Sequence, residues 1–247
     1  KDKLEVGLSV AAFRRGAEAM KRLAHAGGRE HGIIDVIRLA DNRLALVMPY
    51  ADNGNIEGLA ALSWGAPKLV ALFRKICRAV AFAHQQGVLH TGLKPSNILL
   101  DDDVEPLVTD FQMMDYVSLV DGSDDAGGYG AYTAPEELIG YGTQSPTADV
   151  YSLGRLLWYM LAGGPPDEPA DRVPQLKQLA GQPKGLVRII RKCAMPDASQ
   201  RYQSIEALIS DLDRYETGAV GALSLVPTMI SLRPGRVSGL PRQRPWV

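Results

Sequence analysis

The strongest pattern in the sequence is the amphipathic segment from Pro67 to Gln86. Apolar residues recur there at spacings of three and four, which is the period of a helix with one apolar face. Pro67 suits the first helical turn, and Gly87 suits the residue after the last one. The apolar face consists of Val70, Phe73, Ile76, Cys77, Val80, Ala81 and His84. The sequence therefore predicts a helix that packs into the core of the protein.

The other segments change in character along the chain. Short strand-like runs come first and helical patterns follow, an order typical of an α+β protein. A helix is predicted within residues 11–24, and short strands are predicted at Ile33–Leu39, Leu44–Tyr50, Leu99–Leu100 and Pro106–Thr109. Three later helices are predicted at Ala148–Leu161, Leu186–Cys193 and Ser204–Tyr215.

The chain divides into three parts. Residues 1–50 hold one helix and a few strands, residues 51–216 hold most of the predicted helices, and residues 217–247 differ from both in composition. The last part contains four Pro, four Gly and four Arg but no Asp or Glu, which predicts a linker or docking tail and not a core. We expect this tail to pack in extended form on a protein surface, with a disordered linker as the alternative.

Composition excludes several classes of protein. The chain has 27 Lys and Arg against 28 Asp and Glu, and this balance argues against nucleic-acid binding. The two cysteines, Cys77 and Cys193, cannot form a disulfide framework, so we expect a reducing compartment and, without a secretory signal, the cytoplasm. Pro227 interrupts the uncharged stretch Thr217–Leu232, which is shorter than the ~18–20 apolar residues of a membrane span. No transmembrane segment is therefore expected.

Five short motifs follow one another in a fixed order. The first runs from His90 to Leu100, and it resembles the catalytic loop of Ser/Thr protein kinases, His-Arg-Asp-Leu-Lys-Pro-x-Asn. The other four are Asp110-Phe111-Gln112, Ala134-Pro135-Glu136, Asp149-Val150-Tyr151-Ser152-Leu153-Gly154 and Arg201-Tyr202. Their order and spacing resemble the Ser/Thr kinases of bacteria. The resemblance implies an α+β, protein-kinase-like fold with a reduced N-lobe and a complete, mainly helical C-lobe.

The resemblance also implies roles in a nucleotide site. Asn97 and Asp110 match the two metal ligands of the family, and Lys94 matches its γ-phosphate lysine. Four residues match the adenine pocket, namely Met48, Pro49, Ala51 and Leu99. A structural alternative stays open, in which Asn97 and Asp110 stabilise only their own loops through backbone hydrogen bonds.

Five further matches have structural roles in the family. His90 and Phe111 match two members of a buried apolar stack. Glu136 and Arg201 match an ion pair, and Asp149 matches a residue that braces the catalytic loop through backbone N–H groups. The resemblance therefore implies that these residues hold the C-lobe together.

The departures from the family pattern fall on the chemistry. Gly92 stands where the family has the Asp that accepts the substrate hydroxyl proton, and Tyr129 stands where it has a threonine that ties this Asp to Lys94. Gly16 replaces the glutamate that orders the ATP-binding lysine, and Glu18 faces another side of a helix. Thr91 replaces the arginine of the family's catalytic loop, and Gln112 replaces the glycine that ends its metal-binding motif. The phosphate-covering motif Gly-x-Gly-x-x-Gly does not occur ahead of this helix in the sequence.

These linked losses predict a pseudokinase, a catalytically inactive kinase-like domain that acts as a binding or regulatory scaffold for a protein partner. No catalytic residue is expected, since Gly92 occupies the position of the base. No cofactor is expected either, and ATP with Mg is the alternative. A Ser/Thr kinase with weak or upstream-dependent activity and an ATP-binding sensor remain the alternative functions. The loop Asp121–Gly130 and the tail 217–247 are the expected partner surfaces.

Overall fold

The computed structural model describes residues 14–24, 35–38, 44–58, 64–112, 129–138, 144–167, 170 and 172–220. Helices dominate these residues, and their strands form two separate two-stranded sheets. The fold is α+β, with a small amino-terminal part ahead of a larger helical part, as the sequence predicts.

The amino-terminal part contains one helix and one hairpin. Helix α1 covers residues 14–24, and its apolar side lies in the main core of the protein. Strands β1 (Asp35–Arg38) and β2 (Leu44–Val47) pair antiparallel. Both strands lie inside the runs Ile33–Leu39 and Leu44–Tyr50 that predict them. This part therefore matches the reduced N-lobe that the motifs imply.

Helix α2 (Ala66–Gln85) supplies much of the core, as its apolar pattern predicts. It begins with a proline in its first turn and ends before Gly87, whose φ of +70° is a conformation that glycine adopts without steric cost. Its buried residues are Leu69, Val70, Leu72, Phe73, Ile76, Cys77, Ala79, Val80, Ala81 and Ala83. Burial of each large apolar side chain stabilises the fold by about 1.5–3 kcal/mol.

Two strands and five α-helices follow among the described residues. Strands β3 (Ile98–Leu100) and β4 (Pro106–Val108) form a second antiparallel hairpin. The helices are α3 (Tyr129–Tyr132), α4 (Pro135–Leu138), α5 (Pro146–Ala162), α6 (Lys184–Cys193) and α7 (Ile205–Val220). Helix α2 packs against β4, α5 and α7, so the second hairpin lies directly on α2.

Helix α5 is buried on nearly all sides, because α2, α3, α6 and α7 pack around it. The Ser145 hydroxyl caps its first turn by accepting a hydrogen bond from the N–H of Ala148 at 3.3 Å. Gly154 allows α6 to approach closely, because a Cβ atom at this position would lie 2.3 Å from Cβ of Cys193. Helix α5 is therefore the axis of the helical part.

Two predicted boundaries differ from the structure. Helix α7 continues to Val220, so residues 217–220 are helical and not extended as predicted. The Thr217 hydroxyl donates to the carbonyl of Asp213 at 2.9 Å, which continues the helical pattern across the predicted boundary. Residues 129 and 130 begin α3 and are not loop. The predicted partner surfaces at 121–128 and 221–247 lie outside the described residues.

In the part of the chain that the structure describes, no helix is both long enough and apolar enough to cross a membrane.

A bidentate ion pair joins α4 to the segment that precedes α7. The two Oε atoms of Glu136 accept hydrogen bonds from the guanidinium of Arg201 at 2.6 and 2.8 Å. The other three N–H groups of Arg201 donate to the carbonyls of Met195, Thr147 and Pro196 at 2.7, 3.0 and 2.9 Å. The guanidinium is thus fully hydrogen-bonded although its side chain is 0% exposed.

We expect Arg201→Ala to lower the free energy of unfolding by about 3 kcal/mol, because it leaves Glu136 and three backbone carbonyls without their donor. Burial raises the pKa of Glu136, but its hydrogen bonds with Arg201 bring that pKa below its ordinary value, so the variant loses the interaction that favours the ionised carboxylate. Urea denaturation measures the loss. The control is Arg191→Ala, an exposed position on α6 that should change stability by less than about 0.5 kcal/mol. Equal losses in the two variants would contradict the prediction.

Candidate functional site

One buried carboxylate fixes the loop of residues 90–97, called the 90–97 loop below. Asp149 on α5 is 1% exposed, and it accepts hydrogen bonds from the backbone N–H groups of His90 at 2.8 Å and Thr91 at 2.9 Å. His84 on α2 donates its Nε2–H to the same carboxylate at 2.7 Å. Burial raises the pKa of Asp149, but the hydrogen bond from His84 and the neighbouring N–H groups lower it below its ordinary value. Asp149 therefore remains ionised and connects α2, α5 and the loop.

The side chain of His90 packs in the core. Its ring lies against the ring of Phe111, with centroids 4.4 Å apart, and both side chains are buried. The His90 carbonyl accepts a hydrogen bond from the N–H of Gln112 at 2.9 Å. The 90–97 loop is thereby joined to the Asp110-Phe111-Gln112 motif.

Asn97 closes the 90–97 loop on itself. Its Nδ2 donates to the carbonyl of Gly92 at 2.8 Å, and its backbone N–H donates to the carbonyl of Lys94 at 3.0 Å. Its own carbonyl accepts from the N–H of Thr109 at 2.9 Å, next to β4. These bonds support the structural alternative for Asn97, and they leave its Oδ1 with one weak contact, from the Ser96 hydroxyl at 3.4 Å.

Gly92 lies between these fixed points and has no side chain. The described glycines with positive φ are Gly54, Gly87, Gly163 and Gly181, so Gly92 has a backbone conformation that other residues also adopt. The backbone therefore does not require glycine here. The φ angle at this position therefore does not explain why the residue is glycine.

Asp110 and Lys94 form the charged part of the site. Burial raises the pKa of the Asp110 carboxyl, and the positive charge of Lys94 opposes that shift. The backbone of Asp110 is left-handed, with φ of +62°. Gln112 has φ of +55° where the family has glycine, a conformation that costs a residue with a side chain about 1–2 kcal/mol.

Three of the residues matched to the adenine pocket follow β2, and the fourth, Leu99, lies in β3. Met48 is half-buried against the core, Pro49 is exposed, and Ala51 and Leu99 are half-buried. Backbone hydrogen bonds join their two segments: the N–H of Leu100 donates to the carbonyl of Gly54 at 2.8 Å, and an isolated bridge pairs Asn55 with Leu99. The structure thus joins the segment that follows Ala51 to the strand that contains Leu99.

Helix α1 offers no carboxylate at the position that the family uses. Gly16 is buried, at the place of the family's glutamate, whereas Glu18 is exposed. The buried face of α1 therefore carries no side chain that could orient a lysine. Glu18 does not substitute for the missing residue, as its helical position predicts.

Two side chains of α5 with no role assigned from the motifs, Arg155 and Ser152, fix the segment before Ala-Pro-Glu. Arg155 is buried, and its Nε donates to the carbonyl of Ala131 at 2.7 Å. The Ser152 hydroxyl donates to the carbonyl of Tyr132 at 2.7 Å. The sequence carried one signal for the role of Arg155. It is an arginine in an otherwise apolar helix, and a buried guanidinium needs hydrogen-bond acceptors. Helix α5 therefore positions both the 90–97 loop and α3.

The chemistry of the donors decides which ligand the site fits. Among the described residues, no three His, Cys, Asp or Glu side chains are grouped as a metal centre. The site fits the metal-phosphate end of a nucleotide. The carboxylate of Asp110 and the amide Oδ1 of Asn97 are oxygen ligands of the kind that Mg²⁺ prefers, and Lys94 supplies a positive charge for a phosphate. No described group at position 92 can accept a proton. The arrangement is compatible with binding a nucleotide, and the position that holds the base in the family is a glycine.

Comparison with known proteins agrees with this geometry. A family model described as a protein kinase domain matches residues 12–218. The chain is 36% identical over 166 residues to the serine/threonine-protein kinase PknK of Mycobacterium bovis, a match that covers 63% of this chain and 14% of that protein. It is 30% identical over 197 residues to the serine/threonine-protein kinase PknD of Protochlamydia amoebophila, covering 66% of this chain and 20% of that protein.

A receptor-interacting serine/threonine-protein kinase 3 from Rattus norvegicus is 37% identical over 130 residues, covering 48% of this chain and 27% of that protein. The chain thus spans about a quarter or less of the length of these three relatives. The family model covers most of the chain, including the 90–97 loop, α5 and the ion pair of Arg201. The chain therefore belongs to the protein kinase domain family and resembles the Ser/Thr kinases of bacteria.

Proposed function

We propose that this domain does not transfer phosphate and acts as a binding or regulatory scaffold for a protein partner. The observation that carries the proposal is Gly92, which leaves the 90–97 loop without a proton acceptor although Asp149 and Asn97 hold the loop in place. A loop whose backbone is anchored by these hydrogen bonds but that carries no base fits a domain that has kept its architecture without its chemistry.

The magnitude of the losses supports an inactive domain. A missing general base costs about 10²–10⁴ in rate, which by itself can leave detectable turnover. Positioning of the phosphates and the nucleophile contributes the larger share of catalysis in phosphoryl transfer. Here Gly16 and Tyr129 replace two residues that serve positioning in the family. The base and the positioning residues act as one catalytic unit. The effects of losing them on the rate are therefore not independent of one another.

We expect no transfer of labelled γ-phosphate to a generic protein substrate, or to the protein itself, in the full-length natural protein that contains this chain. Gly92→Asp alone should leave the result unchanged, because the positioning residues are missing as well as the base. Scintillation counting of the protein band measures the transfer, and Asp110→Ala supplies the background.

Transfer above that background, abolished by Asp110→Ala, would show a Ser/Thr kinase with weak or upstream-dependent activity and would overturn the proposal. Restoration of transfer by Gly92→Asp alone would show that only the base had been lost.

A nucleotide sensor is the second candidate, and Asp110, Lys94 and Asn97 favour it. Asp110 keeps a half-buried carboxyl within the electrostatic range of Lys94, and the amide oxygen of Asn97 has only a weak contact with the Ser96 hydroxyl at 3.4 Å. Such a protein would bind ATP with Mg²⁺ without turnover and pass the bound state to its partner.

A thermal-shift measurement with Mg-ATP separates the scaffold from the sensor. A ligand at 100 times its Kd stabilises a protein by ~2.7 kcal/mol, which raises the Tm of a domain of this size by about 5–10 °C. For the scaffold we expect a shift of less than about 1 °C, equal in wild type and Asp110→Ala. A larger shift that Asp110→Ala removes would establish the sensor instead.

A further inference from the structure

A second acidic side chain follows Glu136 and is far more deeply buried. Glu137 is 4% exposed, and its backbone N–H donates to the carbonyl of Ala134 at 2.9 Å in the first turn of α4. Within the described residues, its Oε1 has no hydrogen-bond partner. An ionised carboxylate in such a position is costly, because neither water nor a donor replaces its hydration.

The charged groups around Glu137 do not neutralise it. Asp149 of α5 and Glu136 of α4 both add negative charge, and Arg201 is the cation that faces it. All five N–H groups of Arg201 already donate to Glu136 and to three backbone carbonyls. His84 of α2 donates to Asp149. Glu137 is therefore close to a cation that has no hydrogen to offer it.

Of the two buried carboxyls, Glu137 is the one that takes up a proton. Asp149 accepts three hydrogen bonds, from His84, His90 and Thr91, and these stabilise its ionised form. Glu137 has a weaker set of donors: its Oε1 has no hydrogen-bond partner among the described residues, and a backbone hydrogen bond with Ala134 lowers its pKa by less than burial raises it. Burial and the negative charge of Asp149 raise the pKa of Glu137 to about 7. The fold thus favours the protonated form of Glu137 over that of Asp149.

We propose that Glu137 is a proton-dependent switch between α4 and α5. With its proton the side chain is neutral and packs beside Asp149. When the proton leaves to solvent, the new carboxylate repels Asp149 and seeks water, which loosens α4 from α5. The same displacement weakens the hold of Asp149 on the 90–97 loop and acts on the adjoining ion pair of Glu136. The switch uses no nucleotide, so it is independent of the proposed function.

The direction of the pH dependence follows from the raised pKa. The folded protein binds the proton more tightly than the unfolded chain, so the folding equilibrium constant falls as pH rises from the unfolded pKa towards 7 and then levels off. Between pH 5.5 and 8.5 the contribution of Glu137 should lower that constant roughly 30-fold. Glu137→Gln, a neutral side chain of the same shape, should remove this contribution.

Urea denaturation of wild type, Glu137→Gln and Glu18→Gln over this pH range tests the proposal. Glu18 is exposed on α1, so Glu18→Gln should follow the wild-type curve. In wild type, the exchange rate of the His90 and Thr91 amide hydrogens should rise with pH more steeply than base catalysis alone predicts. In Glu137→Gln the rise should equal that of base catalysis. Parallel pH curves for wild type and Glu137→Gln would overturn the proposal.

A measurement on the wild type alone decides the matter if Glu137→Gln fails to fold. The side-chain carboxyl carbons of glutamate, labelled with ¹³C, report each protonation by NMR. One buried glutamate that titrates near pH 7 is the expected result. Titration of every glutamate below pH 5 would show that Glu137 is ionised in the folded protein, and the switch would not exist.

Discussion

The contact between Asp149 and the backbone of the 90–97 loop is the interaction on which the rest of the site depends. A single carboxylate on the most buried helix accepts hydrogen bonds from His90 and Thr91 and from the side chain of His84. Through these three bonds α5 fixes the loop to α2. Because the loop continues directly into β3, the same contact sets the position of Asn97 and, across the hairpin, of Asp110.

This dependence shows that the architecture of the loop does not rely on a side chain at position 92. The groups that hold the loop are backbone N–H groups, a buried carboxylate and a histidine ring, and none of them requires a proton acceptor at position 92. Gly92 has an ordinary backbone conformation and contributes only its carbonyl, which accepts from Asn97. The family positions of the base and of the lysine-ordering glutamate are changed to Gly92 and Gly16, whereas the residues that anchor the loop, Asp149 and Asn97, are kept together with Lys94 and Asp110.

Local sequence patterns predicted most of the fold, because the signals involved are themselves local. The apolar period of residues 67–86 predicted α2. The ordered motifs predicted the 90–97 loop and the kinase-like arrangement. The end of α7 was missed, since Glu216 and Thr217 change the composition without breaking the helix. Glu137 could not be assigned, and the only sequence signal for Arg155 was its place in an apolar helix. Their environments depend on groups from α3, α4, α5 and the segment before α7, and sequence spacing does not show that these groups meet.

The central claim is that Asp149 supports the architecture while Asp110 is a remnant of the chemistry. Urea denaturation of Asp149→Asn and Asp110→Asn at pH 7 tests it most directly, since both changes replace a carboxylate by an amide of the same shape. Asp149→Asn should lose at least about 2 kcal/mol, because an amide cannot accept all three of its hydrogen bonds. Asp110→Asn should change stability by less than about 0.5 kcal/mol or increase it, because burial already disfavours its charge. A neutral Asp149→Asn, or a larger loss in Asp110→Asn, would contradict this account.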